Sequence, residues 1–198
     1  MNSQLSIPFI DLATQRRRLG NRIEKAMADV LDHGRFILGP EVEFLEEALC
    51  GFSGAKNVIT CANGTDALVL AMMALEIGEG DAILLPSFTF SASAESVVLA
   101  GATPVFVDIL PDTFNIDPAG LLAGLEEARA AGLRPRAVMT VDLFGQPADY
   151  GSITGFCREK ELLLIADAAQ SFGASYQDAR VGTLAKVTTT SFFPSKPF

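Results

Sequence analysis

Leu162-Leu163-Leu164-Ile165-Ala166-Asp167-Ala168-Ala169-Gln170 runs five apolar residues into an acid and then into a turn of small residues. A run this short reads as a strand buried on both faces, with its carboxyl end delivering Asp167 to the sheet's edge. Open α/β sheets place ligands in the crevice outside those ends. Outward from it, similar runs span Asn57 to Cys61, Ala82 to Leu85, Pro104 to Val107, Ala137 to Val141 and Val187 to Phe193. Helix-length segments separate them: Thr65 to Ile77, Ser91 to Ala100, Pro118 to Ala131 and Asp149 to Lys160. That alternation predicts an α/β fold with a mainly parallel sheet covered on both faces.

Upstream, Gln15 to His33 and Glu41 to Phe52 read as two helices joined by Gly34-Arg35-Phe36-Ile37-Leu38-Gly39-Pro40. Ile23, Ala26, Met27, Val30 and Leu31 recur at helical spacing, so one face of the first is expected to be buried. The apolar connector Phe36-Ile37-Leu38 fits either a contact with a neighbouring subunit or a loop tucked onto its own core.

The chain has 198 residues, 49% of them apolar, enough for one large core. A formal net charge of −9 argues against nucleic-acid or anionic-membrane partners, which call for clustered Lys and Arg. Arg16-Arg17-Arg18 reads as a solvated helix face. Cys50, Cys61 and Cys157 form neither a disulfide framework nor a metal motif, and a reducing cytoplasm is the expected compartment. No export signal or membrane span is recognisable. His33 is the single histidine and reads as a helix end before Gly34, so no metal site is expected.

Five stretches at or near predicted strand ends carry candidate chemistry. Asn63-Gly64-Thr65-Asp66 follows the first run and opens a helix, where free N–H groups and the helix dipole suit a phosphate; Thr65 fits a plain helix cap as well. Phe90, in Pro86-Ser87-Phe88-Thr89-Phe90, can stack on a planar ring or pack in the core. Asp142 ends the fourth run and fits either a group facing the site or, more commonly, a solvated strand-end carboxylate. Gln170 lies three residues after Asp167, and Ser191 lies five before Lys196; each suits either a ligand or an ordinary capping hydrogen bond. Lys196 closes Ser191-Phe192-Phe193-Pro194-Ser195-Lys196. An amine able to form a Schiff base and a carboxylate able to pair with a pyridinium nitrogen are what a pyridoxal phosphate site needs. Lys196 and Asp167 supply them.

At these residues the sequence resembles the DegT-type family of sugar aminotransferases, pyridoxal phosphate enzymes of fold type I. The resemblance runs through Phe9-Ile10-Asp11-Leu12, Ile37-Leu38-Gly39-Pro40-Glu41-Val42, Cys61 to Leu68, Asp167 to Ala174 and Ser191 to Lys196. It implies that Lys196 and Asp167 are catalytic, Lys196 as attachment point and base and Asp167 as partner of the pyridine nitrogen. Gly64, Thr65, Phe90, Gln170 and Ser191 would complete the cofactor site: phosphate for Gly64, Thr65 and Ser191, ring face for Phe90, phenolic oxygen for Gln170. Cys61 to Leu68 and Ser191 to Pro197 look closest to enzymes that aminate carbon 3 of a UDP-linked 3-keto N-acetylglucosaminuronic acid, with glutamate as donor, for surface polysaccharide such as lipopolysaccharide O-antigen. A cytoplasmic homodimer is implied.

Domain boundaries follow from the same resemblance. Residues 1–56 would be an N-terminal helical segment packing on the large domain. Residues 57–198 would be that domain, incomplete, with the small C-terminal domain absent. A chain so truncated is expected to expose apolar surface, to bind cofactor weakly and to turn over little. The alternative is a non-catalytic cofactor-binding or interaction protein of the same descent.

Overall fold

The structure, a computed structural model, describes residues 8–196. The chain runs through α1 (Leu12–Leu19), α2 (Arg22–His33), α3 (Pro40–Ser53) and α4 (Gly64–Ala74) before the first strand, β1 (Asp81–Pro86). Then come α5 (Ala92–Leu99), β2 (Thr103–Val107), α6 (Leu121–Ala130), β3 (Arg134–Val141), α7 (Tyr150–Glu159) and β4 (Leu163–Asp167). A short hairpin, β5 (Ser175–Tyr176) with β6 (Ala179–Arg180), precedes β7 (Val187–Thr189).

β1, β2, β3, β4 and β7 form one parallel sheet in the order β2-β1-β3-β4-β7. Strand side chains alternate between faces, and each face here has its own core. Ile83, Leu85, Ala137, Met139 and Ile165 pack with Leu68 and Met72 of α4 and Val97 of α5. Leu84, Val138, Leu164 and Ala166 pack with Leu121 and Leu125 of α6 and Ile153 of α7. Two-sided burial explains why the strands read as unbroken apolar runs. The chain steps outward from β1 to β2, then returns to lay β3 on the other side of β1. That reversal opens a crevice at the carboxyl edge between β1 and β3.

Four sequence expectations fail, the last being a buried face on the first helical segment. Residues 57–61 pair with no strand among the described residues: Ile59 is 85% exposed, and the Thr60 N–H and hydroxyl donate to Glu46 of α3 at 2.7 and 2.9 Å. An apolar run becomes a strand only beside an open edge. The segment from Val187 to Phe193 pairs over Val187–Thr189 alone, after which Thr190 turns its hydroxyl to the Ala168 carbonyl at 3.2 Å. The long helix over 15–33 is broken at Gly20, whose φ of 61 and ψ of −132 no helix accommodates. Neither α1 nor α2 has a buried residue.

Candidate active site

The α4 N-terminus shows why its sequence matters. Asn63 is the cap: its side-chain oxygen accepts from the Asp66 N–H at 2.9 Å, and its carbonyl from the Ala67 N–H at 3.0 Å. Thr65 is therefore not the cap, and its hydroxyl stays available. The N–H groups of Gly64 and Thr65 have no hydrogen-bond partner among the described residues, as the first turn of a helix requires unless a ligand comes. Ser191 stands against them. A Cβ on Gly64 would lie 3.0 Å from the Ser191 Cβ and 3.4 Å from its Oγ. Glycine thus keeps open a cradle of two N–H groups and two hydroxyls, a donor set suited to a phosphate.

Strand pairing brings the acid and the amine to one edge. Asp167 pairs in register with Thr189, and beyond it the Ala168 N–H donates to the Thr189 carbonyl at 2.8 Å. From there the chain turns at Pro194 and Ser195, closed by the Lys196 N–H on the Phe193 carbonyl at 2.8 Å. Lys196 Nζ lies 5.9 Å from the centroid of the Phe90 ring. Phe90 is 70% exposed, so its ring presents a face outward and does not fill the core.

Asp167 is only 7% exposed. Burial pushes its carboxyl above the ordinary range, opposed by the Ser93 hydroxyl, the Ala169 N–H and the charge of Lys196. Ser93 Oγ is 2.9 Å from one carboxylate oxygen and the Ala169 N–H 3.2 Å from the other. Gln170 is half-buried, and its backbone carbonyl would lie 3.3 Å from a Cβ on Gly145.

Asp142 overturns the expectation of a solvated strand end, for it is fully buried. Its carboxylate accepts from the Ala148 N–H at 2.9 Å, the Ser171 hydroxyl at 2.9 Å and the Tyr150 hydroxyl at 3.0 and 3.1 Å. Burial raises its pKa, and the neighbouring Asp167 adds to the rise. Three donor groups replace water here, and the bond to Ser171 ties the turn carrying Gln170 to β3.

Two phenylalanines beside the site, Phe114 and Phe144, hold positive φ angles of 61 and 57 and meet edge to face at 5.8 Å between centroids. The arrangement is a face rather than an enclosed chamber. A hollow of about 230 Å³, lined by Cys61, Ala62, Asp66, Val69 and Leu70, adjoins the start of α4. A larger open cleft of about 590 Å³ lies between α7 and the β5–β6 hairpin, away from Asp167 and Lys196. No group of three His, Cys, Asp or Glu among the described residues could hold a metal, and no described helix is long and apolar enough to cross a membrane.

The sequence matches the DegT/DnrJ/EryC1/StrS aminotransferase family over residues 17–198. The chain belongs to that family. Among its DegT-type relatives is the UDP-2-acetamido-2-deoxy-3-oxo-D-glucuronate aminotransferase of Pseudomonas aeruginosa, 49% identical over 96% of this chain and 52% of the relative. A solved DegT/DnrJ/EryC1/StrS aminotransferase from Brucella abortus superposes with a TM-score of 0.93 at 46% identity, covering 97% of this chain and 52% of that one. NtdA from Bacillus subtilis, solved with bound cofactor PMP, superposes with a TM-score of 0.87 at 30% identity over 96% of this chain and 42% of that one. The chain spans about half the length of the curated DegT-type relatives it matches. Its parallel sheet is that of the fold type I aminotransferases, as expected.

Motif reading missed Thr89, Ser93 and the burial of Asp142. Ser93 sits in Ser91-Ala92-Ser93-Ala94, where every small residue looks alike. The one available signal was helical phase: Ala92, Ser93, Ser96 and Val97 share the face of α5 turned to the sheet. Polar residues on an apolar face need partners.

Proposed function

We propose that this chain is the cofactor-binding part of a pyridoxal phosphate-dependent aminotransferase that moves an amino group from glutamate to a nucleotide-linked keto sugar. The observation that carries it is the convergence of the Lys196 amine, the outward Phe90 face, the buried Asp167 and the Gly64–Ser191 cradle on one sheet edge. These residues fit the cofactor in donor type and placement. When bound, it supplies an electron sink for the carbanion formed at the donor's α-carbon.

The protein's own parts divide the work. Gly64, Thr65 and Ser191 hold the phosphate, and Phe90 covers one face of the ring. Asp167 keeps the pyridine nitrogen protonated, a task its low exposure strengthens by excluding water. Gln170 hydrogen-bonds the phenolic oxygen. Lys196 is the attachment point and then carries the proton between the two carbons that exchange it. The sugar substrate is a UDP-linked 3-keto N-acetylglucosaminuronic acid, supported by the activity for which the Pseudomonas aeruginosa relative is named. Its product serves surface polysaccharide such as lipopolysaccharide O-antigen. The helices within residues 1–56 form a segment that packs on the cofactor domain of 57–198, a reading supported by the buried Leu49 and Ser53 of α3 and by the Arg180 guanidinium donating to the Phe52 carbonyl at 2.6 Å. The working form is a cytoplasmic homodimer. Free Cys50, Cys61 and Cys157 support a reducing compartment.

Borohydride reduction after incubation with pyridoxal phosphate, followed by peptide mass mapping, is expected to place the cofactor on Lys196 and to lose the label in Lys196→Ala. Labelling spread over surface lysines would overturn the assignment. Glutamate is then expected to convert the bound cofactor's absorbance to that of the amine form. Binding without conversion would reduce the chain to a cofactor-binding module.

A further inference from the structure

We propose that Ser93 is a positioning residue for Asp167, joining that carboxylate to the turn carrying Phe90 so that acid and ring face keep a fixed mutual placement. This rests on the cofactor site proposed above, although its geometry stands alone. Ser93 is fully buried in the first turn of α5, and β3 separates β1, the strand before it, from β4, which carries Asp167. Its N–H donates to the Phe90 carbonyl at 3.1 Å, and its hydroxyl donates to Asp167 Oδ2 at 2.9 Å. One residue thus holds both.

Proton counting orients a short chain of hydroxyls. Thr89 Oγ1 and Ser93 Oγ lie 2.9 Å apart, and either could donate. An ionised carboxylate only accepts, so the single Ser93 proton goes to Asp167, and Thr89 must donate to Ser93. The half-buried Thr89 hydroxyl therefore stiffens an inner bond that water does not reach. If Asp167 takes up a proton on Oδ2, both bonds reverse. With the Ala169 N–H on Oδ1, the remaining lone pairs of the carboxylate are free for a ring N–H.

Other charged groups act on Asp167 from neighbouring elements. Asp142, at the end of β3, is itself held above the ordinary range in part by repulsion from Asp167, and the charge of Lys196 favours the Asp167 anion. Ser93 is the uncharged member of the set. Its removal leaves the cost of burial in place and takes away the strongest stabiliser of the Asp167 anion.

The test uses the 198-residue chain carrying Ser93→Ala, Ser93→Cys or Ser93→Thr. Carbon-13 NMR of the cofactor-free chain follows the titration of the Asp167 carboxyl, and absorbance titration gives the Kd for pyridoxal phosphate. Ser93→Ala is expected to move the Asp167 titration to higher pH and to weaken cofactor binding about tenfold, the effect of losing one hydrogen bond to a charged group. Ser93→Cys, which keeps the volume with a poor donor, shifts both in the same direction, and Ser93→Thr restores both. An unmoved Asp167 titration in a folded Ala or Cys variant overturns the proposal. A moved titration in a chain that fails to bind pyridoxal phosphate supports the role of Ser93 while removing the cofactor reading, so the two failures are distinct.

Discussion

At the residue scale, the site is built on a carboxylate held where charge is costly. Asp167 lies under the sheet edge with Asp142 as its buried neighbour, and burial raises the pKa of both. The linkage has a definite sign. As pH rises from acid, the unfolded chain loses the Asp167 proton first, near its ordinary value of about 3.9. The native chain holds it longer, so this contribution to stability is complete below that value and lost as pH climbs through the raised native value. Asp167→Asn is therefore expected to raise the Tm of the cofactor-free chain at pH 7, by about 2–4 °C for each kcal/mol relieved. The hydroxyl of Ser93 can turn to accept from the new amide. The gain should vanish as pH falls toward the unfolded value, and pyridoxal phosphate binding should be lost at every pH. A lower Tm at pH 7 would show that Lys196 already neutralises the acid in the free chain. Asp167 and Gly64 were legible in the sequence because one ends a strand and the other opens a helix, and Phe90 and Lys196 because each lies in the turn segment after a strand. Ser93 and Asp142 were not, because their importance lies in partners 74 and 29 residues away along the chain.

At the element scale, α4 and the segment after β7 meet through one missing side chain. Gly64 takes no positive φ, so its value is space alone. Gly64→Ala would drive a methyl to 3.0 Å from Ser191 Cβ, and Ser191 must give way by a few tenths of an ångström. Alanine favours helix over glycine, so the fold should lose nothing. The expected outcome is an unchanged or slightly higher Tm with a Kd for pyridoxal phosphate raised about tenfold, as for one displaced charge-assisted hydrogen bond. Equal affinity in the two chains would mean that the phosphate does not sit here. The strands β1, β3 and β4 were legible because both faces are covered and the runs are continuous, and the edge strand β2 by its apolar run although Phe106 stays 53% exposed. The β5–β6 hairpin was not, because two-residue strands carry no period. Residues 57–61 misled because apolar composition fixes neither burial nor pairing, and Ile59 stays 85% exposed.

At the scale of the molecule, α1 and α2 leave their apolar side in the open. Met27 and Leu31 of α2 are 62% and 68% exposed, and Ile37 just beyond is 88% exposed. The helical spacing of Ile23, Met27 and Leu31 builds a stripe, and a contiguous apolar patch on a protein surface marks an interaction site. A second copy of the chain is the partner proposed above, and a twofold contact would use the same stripe on both copies. Met27→Glu with Leu31→Glu then places four charges in one interface. Each apolar side chain returned to water forfeits about 1.5–3 kcal/mol, so the dissociation constant should rise at least about a hundredfold. Far-UV circular dichroism should stay unchanged, because neither side chain supports the fold of its own chain. Sedimentation velocity over a concentration series reads the result: self-association by the native sequence and its loss in the double variant. A native chain that sediments as a monomer at every concentration, or a double variant that associates equally well, would assign the stripe to something other than a second copy.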